Sequence, residues 1–372
     1  MGTLAAPTDP FPALVGRSPI TSIDLFAGAG GLTAGLHEGS HRIRTVRAVE
    51  FDLAAAATFD ANHGSGLTYP GSIEDWLTEE ETPEVDLVVG GPPCQGFSLL
   101  NRNRVGAERN SLWERYAETL VRARPKWFIM ENVATFLKSP EYQELVRWTR
   151  PGGPLEDYSV EGRVLNAADY GAPQRRRRTV VLGHRRDANA VPWPKPTYGP
   201  GTYRTVRDAW VQIPRGVHTV DLPVKRTSFA GKVFPGPFRT KELHLTRDWS
   251  PLSMRRFRAI PAGGSRFDLP DELLAPCWRS HTTGAGDVMG RLRWDEPGVT
   301  VRTEFFKPEK GRYIHPTEHR TITHHEAARL QDFPDEYLWV GTKAEIARQI
   351  GNAVPLPLGR ALGASIALAA MV

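Results

Sequence analysis

Residues 85–98 read Val-Asp-Leu-Val-Val-Gly-Gly-Pro-Pro-Cys-Gln-Gly-Phe-Ser, an apolar run that stops abruptly at glycine and proline. The run at 85–89 predicts a short buried strand that ends at the glycines. Cys94 would then emerge at the carboxyl end of a sheet, where open α/β sheets place their functional groups. Residues 126–130 predict a second such strand, which is followed by Glu131. A thiol and a carboxylate are therefore expected side by side at one edge of the sheet.

Strand-like and helix-like runs alternate from residue 20 to residue 182. Such alternation is typical of βαβ units. The predicted fold class is therefore α/β, with a doubly wound, Rossmann-like and mostly parallel sheet. The strands are predicted over 21–26, 44–50, 85–89, 126–130 and 179–182, and the helices over 32–38, 53–62 and 112–123.

The composition of the chain changes after residue 183. Residues 183–318 hold 15 of the 31 prolines and show little periodicity, whereas helical patterning resumes after residue 323. Scattered prolines and aromatic residues without periodicity are typical of a loop-rich module. The expected units are a loose tail at 1–19, a larger domain formed by 20–182 with 319–372, and a smaller, loop-rich domain at 183–318.

Positive charge is concentrated in the same segment. Residues 183–318 carry 23 Lys and Arg against 14 Asp and Glu, a net charge of +9, while the whole chain has +5. The remainder of the chain is therefore acidic overall. A polyanionic partner such as nucleic acid accounts for this asymmetry, and an ordinary solvated basic face accounts for it equally well.

Cysteine content and hydropathy limit the setting of the protein. Cys94 and Cys277 are the two cysteines, and a thiol that acts as a nucleophile must stay reduced. The longest apolar stretch, residues 362–372, is too short to cross a bilayer. The start of the chain lacks the basic flank and apolar core of a signal peptide. We expect a cytoplasmic protein with no membrane role.

Residues 24–32, Asp-Leu-Phe-Ala-Gly-Ala-Gly-Gly-Leu, stand where the first strand should turn into the first helix. Glycines at such a turn let a ligand approach the backbone at a helix N-terminus, although a turn needed only for packing has the same appearance. Glu50 ends the next predicted strand, where it could accept hydrogen bonds from ribose hydroxyls, and Phe51 beside it could stack on a purine. Together these features favour a cofactor that contains a nucleoside.

Cys94 and Glu131 each have a purely structural interpretation when taken singly. An isolated cysteine is most often a small buried hydrophobe, and an isolated glutamate is most often solvated. The Pro-Pro before Cys94 and the Gln-Gly after it predict an exposed turn instead. Paired across adjacent strands, the thiolate and the carboxyl group would support nucleophilic addition with acid assistance.

Four consecutive arginines, 175–178, run directly into the predicted strand at 179–182. A basic run can be a solvated or nuclear-import patch. Strand alternation sends Arg176 and Arg178 to one face and the other two to the opposite face. Because the run merges with a buried strand, we expect one arginine pair to point into the site.

Taken in order, these motifs resemble those of the cytosine-5 DNA methyltransferase family of bacterial restriction-modification type. The resemblance covers the first 182 residues and the tail from about Arg320. Its last two blocks would otherwise pass as helix punctuation. The six blocks are 26–31 (Phe-Ala-Gly-Ala-Gly-Gly), 93–94 (Pro-Cys), 131–133 (Glu-Asn-Val), 174–178 (Gln-Arg-Arg-Arg-Arg), 329–331 (Arg-Leu-Gln) and 351–354 (Gly-Asn-Ala-Val).

The resemblance implies S-adenosyl-L-methionine as the methyl donor, with S-adenosyl-L-homocysteine as the product. This cofactor would lie over the first glycine turn of a methyltransferase sheet. One position departs from the family, because Ser72 stands where an aspartate often holds the adenine amino group. The residues implied to bind the cofactor are Phe26, Ala27, Gly28, Gly30, Gly31, Glu50, Phe51, Ser72, Ile73, Pro93, Leu112, Asn352 and Val354.

The resemblance also implies the catalytic residues. A Cys94 thiolate that adds at carbon 6 of cytosine turns the ring into an enamine able to attack a methyl sulfonium. Glu131 would bind or protonate ring nitrogen 3, Arg178 would hold the carbonyl at carbon 2, and Arg176 would support the site electrostatically. The base must first be flipped out of the duplex, and the glycines and arginines of residues 96–110 suit a loop that closes over DNA.

The basic segment 183–318 resembles the family's target-recognition domain, which binds double-stranded DNA. Its Lys and Arg side chains would contact phosphates, and Arg255, Arg256 and Arg258 are candidates for reading base edges in the major groove. The stretch 291–316 resembles the path by which the chain returns to the catalytic domain. Duplex DNA is therefore the predicted partner.

Three alternatives stand beside this interpretation. A related branch methylates cytosine in transfer RNA, but its Cys-Phe-Thr signature is not matched by the Cys-Trp-Arg at 277–279. A catalytically silent DNA-binding homologue would be expected to lose Cys94 or Glu131. An NAD-dependent oxidoreductase would share the glycine turn but would give the Pro-Cys pair no purpose.

Family analogy alone extends the interpretation to the setting of the enzyme. It implies a bacterial, nucleoid-associated modification enzyme with a cognate restriction endonuclease that acts on the same site. Because one flipped base is handled at a time, we expect a monomer.

Overall fold

A seven-stranded sheet forms the centre of the computed structural model, which describes residues 18–93, 112–279, 283 and 286–371. Its strands are β1 (Ile20–Leu25), β2 (Ile43–Val49), β3 (Thr68–Tyr69), β4 (Leu87–Gly90), β5 (Trp127–Val133), β6 (Tyr158–Asn166) and β7 (Arg177–Arg185). They lie in the order β3-β2-β1-β4-β5-β7-β6. The first five are mutually parallel, and β7 is antiparallel to both β5 and β6. The predicted mostly parallel α/β sheet is confirmed.

Helices pack on both faces of this sheet. Leu32 and Leu36 of the first helix lie in the hydrophobic cluster of one face, and Trp76 and Tyr116 lie in that of the other. The fold is therefore doubly wound, as predicted. The helices are α1 (Gly31–Gly39), α2 (Leu53–His63), α3 (Ile73–Glu79), α4 (Leu112–Ala123), α5 (Pro140–Trp148), α6 (Val206–Ala209), α7 (Pro251–Ala259), α8 (Pro276–Arg279), α9 (His324–Leu330), α10 (Lys343–Asn352) and α11 (Leu356–Ala369).

The C-terminal helix α11 completes the face that contains α1. The two helices approach closely at Gly35, where an added Cβ would lie 2.7 Å from the Cα of Gly359. Only glycine allows backbones this near to each other. The tail of the chain is thus built into the layer that supports β1.

Short elements make up the segment 183–318. Its strands are β8 (Arg226–Phe229), β9 (Lys232–Pro235) and β10 (Phe238–Arg239), and β10 pairs antiparallel with β11 (Leu338–Trp339) of the tail. Trp210 and Phe238 share a hydrophobic cluster with Trp339, whereas Phe257 and Ile314 belong to a separate cluster within the segment. The first part of the segment therefore packs on the tail, and the division into domains stays a prediction.

Most predicted elements appear within one to three residues of their expected ends, and two strands of the seven-stranded sheet were missed. β3 is only two residues long, and β6 is an edge strand interrupted by Gly162 and by charged residues. The predicted tail before residue 18, Cys94 and the predicted closing loop at 96–110 lie outside the described residues. Among the helices that the structure describes, none is long and apolar enough to span a membrane.

Candidate active site

A cavity of about 1010 Å³ opens at the carboxyl ends of β1, β2, β4 and β5. β1 lies between β2 and β4, so the chain winds in opposite directions from this point, which is where open α/β sheets bind ligands. The expected site residues that line this cavity are Phe26, Ala27, Gly28, Gly31, Glu50, Phe51, Ser72, Ile73, Pro93, Leu112, Glu131, Arg176, Arg178, Asn352 and Val354.

Gly30 is an expected cofactor residue that does not line the cavity. It is the N-cap of α1 with φ 84°, and a Cβ there would lie 2.4 Å from Nε2 of His63, behind the turn. Its glycine is needed for the left-handed backbone and for this close packing. The structure shows Gly30 shaping the turn, and a direct contact with the ligand stays a prediction.

The turn between β1 and α1 holds its backbone open to the cavity. Phe26 has φ 55° and Gly28 has φ 57°, both left-handed. Such a conformation costs a residue with a side chain ~1–3 kcal/mol and commonly occurs at functional sites. A Cβ on Gly28 would meet no atom within 4 Å, so a ligand has room to approach the backbone here.

Glu50 receives two backbone hydrogen bonds across the same turn. The N–H of Gly28 donates to Oε2 at 2.8 Å, and the N–H of Asp52 donates to Oε1 at 2.7 Å. Burial raises the pKa of Glu50 above its ordinary value even though these bonds favour the charged form. Each carboxylate oxygen has a second lone pair, so the group can still accept bonds from a ligand's hydroxyls.

Asp24 is a cavity residue to which the sequence assigned no role. Its carboxyl group is 1% exposed and accepts a hydrogen bond of 2.6 Å from Oγ1 of Thr33. Burial raises the pKa of Asp24 to about 7, the Thr33 bond opposes that rise, and the nearby charge of Glu50 adds to it. The available signal was that Asp24 is the single charged residue of this mostly buried strand.

Phe51, Ile73 and Ser72 also line the cavity, and they contribute apolar surface and a hydroxyl in place of carboxyl groups. Phe51 is 77% exposed, and Ile73 is buried beneath the same rim. Ser72 caps α3: its Oγ accepts from the N–H of Asp75 at 3.0 Å and donates to the Asp75 carboxylate at 2.7 Å. The cap uses the hydroxyl's proton and one of its two lone pairs, so one lone pair of Ser72 remains to accept a hydrogen bond.

Glu131 and Arg178 form an ion pair at the floor of the cavity. Nε of Arg178 lies 2.8 Å from Oε1 of Glu131, and both side chains are less than one-fifth exposed. The antiparallel register of β5 and β7 brings them together. Asn132 donates to the carbonyl of Pro92 at 3.0 Å and so ties β5 to the turn that precedes Cys94 in sequence. Glu131 thus lines the cavity, while its expected pairing with Cys94 stays a prediction, because Cys94 lies outside the described residues.

The alternation predicted for the arginine run is confirmed. Arg175 and Arg177 are exposed, whereas Arg176 and Arg178 line the cavity. Arg176 is 2% exposed, and its guanidinium donates to the carbonyls of Val301 at 2.8 Å and Gly351 at 2.9 Å. Burial, with the neighbouring Arg178, lowers the pKa of Arg176 to about 9.

The two C-terminal blocks meet the arginine run through buried amides. Nε2 of Gln174 donates to the carbonyl of Leu330 at 2.8 Å and to Oε1 of Gln331 at 2.7 Å. Nε2 of Gln331 in turn donates to the carbonyl of Ile350 at 2.6 Å. These blocks therefore hold the cavity wall together in addition to ending and starting helices.

Tyr337 supports the glycine turn from behind, a contact that the sequence did not reveal. Its hydroxyl donates to the carbonyl of Ala29 at 2.5 Å and lies 3.3 Å from Nε2 of His63. Burial lowers the pKa of His63 to about 3, so the imidazole is neutral at physiological pH. The tail thus fixes the turn on the side away from the cavity.

Arg256, one of the three arginines proposed to read base edges, makes its contacts within the protein. Arg256 donates to the carbonyl of Leu273 at 2.8 Å and stacks over Trp278 at 4.9 Å from the ring centroid. Arg255 and Arg258, on the same helix, are exposed. We therefore retain only these two as candidates for DNA contact. Among the described residues, no group of three or more His, Cys, Asp or Glu is placed to hold a metal ion.

Comparison with known proteins gives one consistent picture. The family model for C-5 cytosine-specific DNA methylases matches residues 20–367. The Type II methyltransferase M.XorII of Xanthomonas oryzae pv. oryzae is 33% identical over 377 residues, which cover 92% of this chain and 84% of the relative. The Type II methyltransferase M1.HphI of Haemophilus parahaemolyticus is 31% identical over 358 residues, which cover 93% of this chain and 86% of the relative.

Solved structures share the fold at lower sequence identity. A prophage-encoded DNA modification methyltransferase of E. coli superimposes with a TM-score of 0.70 at 20% identity, covering 95% of this chain and all of that one. The Dnmt2 methyltransferase of S. pombe gives a TM-score of 0.56 at 18% identity, covering 95% of this chain and 99% of its own. At these identities the likeness concerns the architecture.

Proposed function

Since the chain belongs to the C-5 cytosine-specific DNA methylase family, and is thus a DNA (cytosine-5-)-methyltransferase, we propose that it methylates a flipped cytosine within a short duplex sequence. The methyl donor in this proposal is S-adenosyl-L-methionine, and the nucleophile is Cys94. The observation that carries the proposal is the Glu131–Arg178 pair, 2.8 Å apart, in a cavity that is also lined by Pro93, the residue before Cys94 in the sequence.

The cavity fits a nucleoside that bears an amino-acid tail. Glu50 has spare acceptor capacity for ribose hydroxyls, and Phe51 presents an exposed aromatic face for a purine. Gly28 leaves open space beside a backbone that could receive the tail. When bound, S-adenosyl-L-methionine supplies an electrophilic methyl group. Asn352 and Val354 would close the pocket from the tail of the chain.

Glu131 and Arg178 are suited to bind the edge of a pyrimidine. The Arg178 guanidinium is fixed by the carboxylate and has further N–H groups that can donate to the carbonyl at carbon 2. Glu131 can bind ring nitrogen 3 and share a proton with it, which takes up the charge that develops when a nucleophile adds at carbon 6. Both side chains are mostly buried, so these interactions act at a low effective dielectric.

Cys94 provides the nucleophile in this scheme. Its thiolate bonds to carbon 6, which makes carbon 5 nucleophilic enough to accept a methyl group. A base then removes the proton from carbon 5, the bond to sulfur breaks and 5-methylcytosine is released. Because none of these atoms is reachable in a stacked duplex, the base must be extruded.

The partners follow from the same proposal. Duplex DNA lies against the basic segment 183–318, where Arg255 and Arg258 are exposed. We propose that the enzyme acts as a monomer in the bacterial cytoplasm, associated with the nucleoid, and that a restriction endonuclease with the same target accompanies it. The similarity to Type II methyltransferases supports this last point.

Methyl transfer from labelled S-adenosyl-L-methionine to duplex DNA, followed by bisulfite sequencing, tests the proposal. We expect label at cytosines within one short sequence. Label that enters transfer RNA alone would favour the RNA-methylating branch. DNA binding without any label would favour a silent homologue.

The covalent step is tested with a duplex that contains 5-fluorocytosine at the methylated position. With methyl donor present, wild-type protein and Cys277→Ala should become covalently attached to this duplex, since Cys277 is exposed on α8 and does not line the cavity. Cys94→Ala should fold and bind DNA but form no adduct. An adduct with Cys94→Ala, or none with wild type that methylates ordinary DNA, would overturn the assigned nucleophile.

A further inference from the structure

The chain returning from the basic segment lies alongside the residues that precede β7. The N–H of Gly298 donates to the carbonyl of Pro173 at 2.9 Å, and the N–H of Arg175 donates to the carbonyl of Gly298 at 2.8 Å. Oγ1 of Thr300 donates to the carbonyl of Arg175 at 2.8 Å. Residues 298–301 and 173–176 thus form one hydrogen-bonded seam, which we call the return seam.

Two side chains of the return seam, Gln174 and Arg176, hydrogen-bond to the backbone of the same residue, Val301. The N–H of Val301 donates to Oε1 of Gln174 at 3.1 Å, and the carbonyl of Val301 accepts from Nη1 of Arg176 at 2.8 Å. Gln174 is fully buried and Arg176 is 2% exposed. The backbone of Val301 is therefore fixed at both its donor and its acceptor.

The same stretch of chain continues into β7, which pairs with the strand that carries Glu131. Gln174, Arg176 and Arg178 alternate along the chain, and Arg178 lies 2.8 Å from Glu131. The other nitrogen of the Arg176 guanidinium binds the carbonyl of Gly351 at 2.9 Å. Three successive side chains thus connect the returning segment, the tail and the ion pair.

The returning segment and the tail also touch each other directly. A Cβ on Gly351 would lie 2.4 Å from the carbonyl carbon of Arg302, so the two backbones are in van der Waals contact. Residues 300–303 and 351–354 all line the cavity. A displacement of residues 300–303 would therefore move the cavity wall and the Arg176 guanidinium together.

A charged residue is an unexpected choice for holding two carbonyls. Nε of Arg176 is buried without a hydrogen-bond partner, and Arg178 is a like charge nearby. Removing a guanidinium from water costs free energy that its bonds only partly return. An arginine at this position is explained if its positive charge and the length of its side chain contribute to the reaction as well as to the fold.

We propose that Gln174 and Arg176 are positioning residues, which couple the seating of DNA on segment 183–318 to the alignment of the Glu131–Arg178 pair. This inference rests on the proposed function, because it takes the basic segment as the DNA-binding part. When DNA is bound in the correct position on the segment, residues 298–303 take up one fixed position. The return seam passes that position on to Arg176, and Arg178 is then aligned with Glu131.

Arg176→Lys tests the coupling, because lysine keeps the charge but cannot reach both carbonyls with a planar fork. On the duplex identified by bisulfite sequencing, kcat should fall on the order of 10- to 100-fold, the size expected for loss of one charge-assisted hydrogen bond. The Kd values for S-adenosyl-L-homocysteine and for DNA should stay at wild-type levels. The preference for that duplex over one with a single altered base pair should shrink.

Arg177→Lys is the matched control, since it makes the same substitution one residue away on the exposed face. It should behave as wild type. Thr300→Val removes an exposed hydrogen bond of the return seam and should lower kcat in the same direction by a smaller factor. This second variant keeps the inference testable if Arg176→Lys does not fold.

Hydrogen exchange gives a readout that needs no turnover. Duplex DNA should protect amides of β5 and β7 in the wild type and in Arg177→Lys, but not in Arg176→Lys. A lower melting temperature with unchanged kcat, preference and protection would overturn the coupling. If the wild type shows the protection without methylating DNA, the proposed function fails while the coupling stands. If it does not bind DNA, both fail.

Discussion

Asp24→Asn should remove a pH dependence of stability that originates inside the cavity. Burial raises the pKa of Asp24 from 3.8 to about 7 in the folded protein, whereas the unfolded chain titrates near the ordinary value. Between these two pH values the folded state holds a proton that the unfolded state has released. The unfolded state therefore binds fewer protons, and stability falls as the pH rises from about 4 to about 7.

The magnitude follows from the same two pKa values. One pKa unit corresponds to ~1.4 kcal/mol, so the full difference between 3.8 and about 7 amounts to ~4 kcal/mol. An asparagine of the same shape does not titrate and should abolish this contribution. Relative to wild type, Asp24→Asn is expected to gain ~4 kcal/mol between pH 4 and pH 8.

Urea unfolding of both proteins at several values between pH 4 and pH 8 measures this difference. Thr33→Val provides a control of opposite sign, because the lost hydrogen bond of 2.6 Å favours the charged carboxylate. Its stability should keep falling to a higher pH than that of wild type. Parallel stability curves for wild type and Asp24→Asn would refute the reasoning, since no proton would then be retained at this carboxyl group.

Three further predictions concern the cavity. Glu131→Gln keeps the shape but removes the charge paired with Arg178, so kcat should fall ~10²- to 10⁴-fold while Kd for S-adenosyl-L-homocysteine stays constant, as measured by single-turnover kinetics and calorimetry. Unchanged kcat would exclude Glu131 from the chemistry. Tyr337→Phe loses the bond to the carbonyl of Ala29, and KM for the methyl donor should rise by roughly the ~5- to 10-fold that one hydrogen bond is worth, with kcat preserved. An unaltered KM would show that the turn needs no support from the tail. Ser72→Ala should lose ~1 kcal/mol of stability in urea unfolding, whereas Ser72→Thr, which keeps a capping hydroxyl that can also donate to Asp75, should lose less, and equal losses would contradict the capping role.

Much of the fold was predictable because its central elements are encoded locally. The apolar runs of β4 and β5 stop at glycine and at Glu131, and the helices around them have clear periodicity. The sequence did not predict β6, because an edge strand has one unpaired side and tolerates glycine and charged residues in its interior. Its existence depends on pairing with β7, and no short stretch of sequence records that pairing.

The candidate site was predictable to the extent that its residues face the cavity from strand ends. Alternation alone separated Arg176 and Arg178 from their neighbours, and the register of β5 with β7 placed Arg178 against Glu131. The supports could not be found in this way. Tyr337 reaches Ala29 across 308 positions of sequence, and Arg176 reaches Gly351 across 175. Such contacts arise only when the tail packs on the sheet, so local patterns carry no trace of them.

The path of the chain connects both ends of the basic segment to residues beside the cavity, which is the physical basis of the proposed coupling. β7 runs antiparallel to β5, so its last residues lie at the edge of the sheet away from the cavity. The chain then returns along the sheet, and the N–H of Tyr198 donates to the carbonyl of Asp169 at 3.0 Å. Further along the segment, Arg204 donates to the carbonyl of Gly171 at 3.0 Å.

Both ends of the basic segment are therefore anchored to the same short stretch, residues 169–176. The outgoing chain binds it through Arg204, and the incoming chain binds it through Gly298 and Val301. That stretch leads directly into Arg178. If the segment binds DNA as proposed, we expect a displacement of its two ends to be transmitted through residues 169–176 to Arg178, which pairs with Glu131. The segment's own sequence can vary without loss of this linkage, because backbone groups make most of the anchoring bonds.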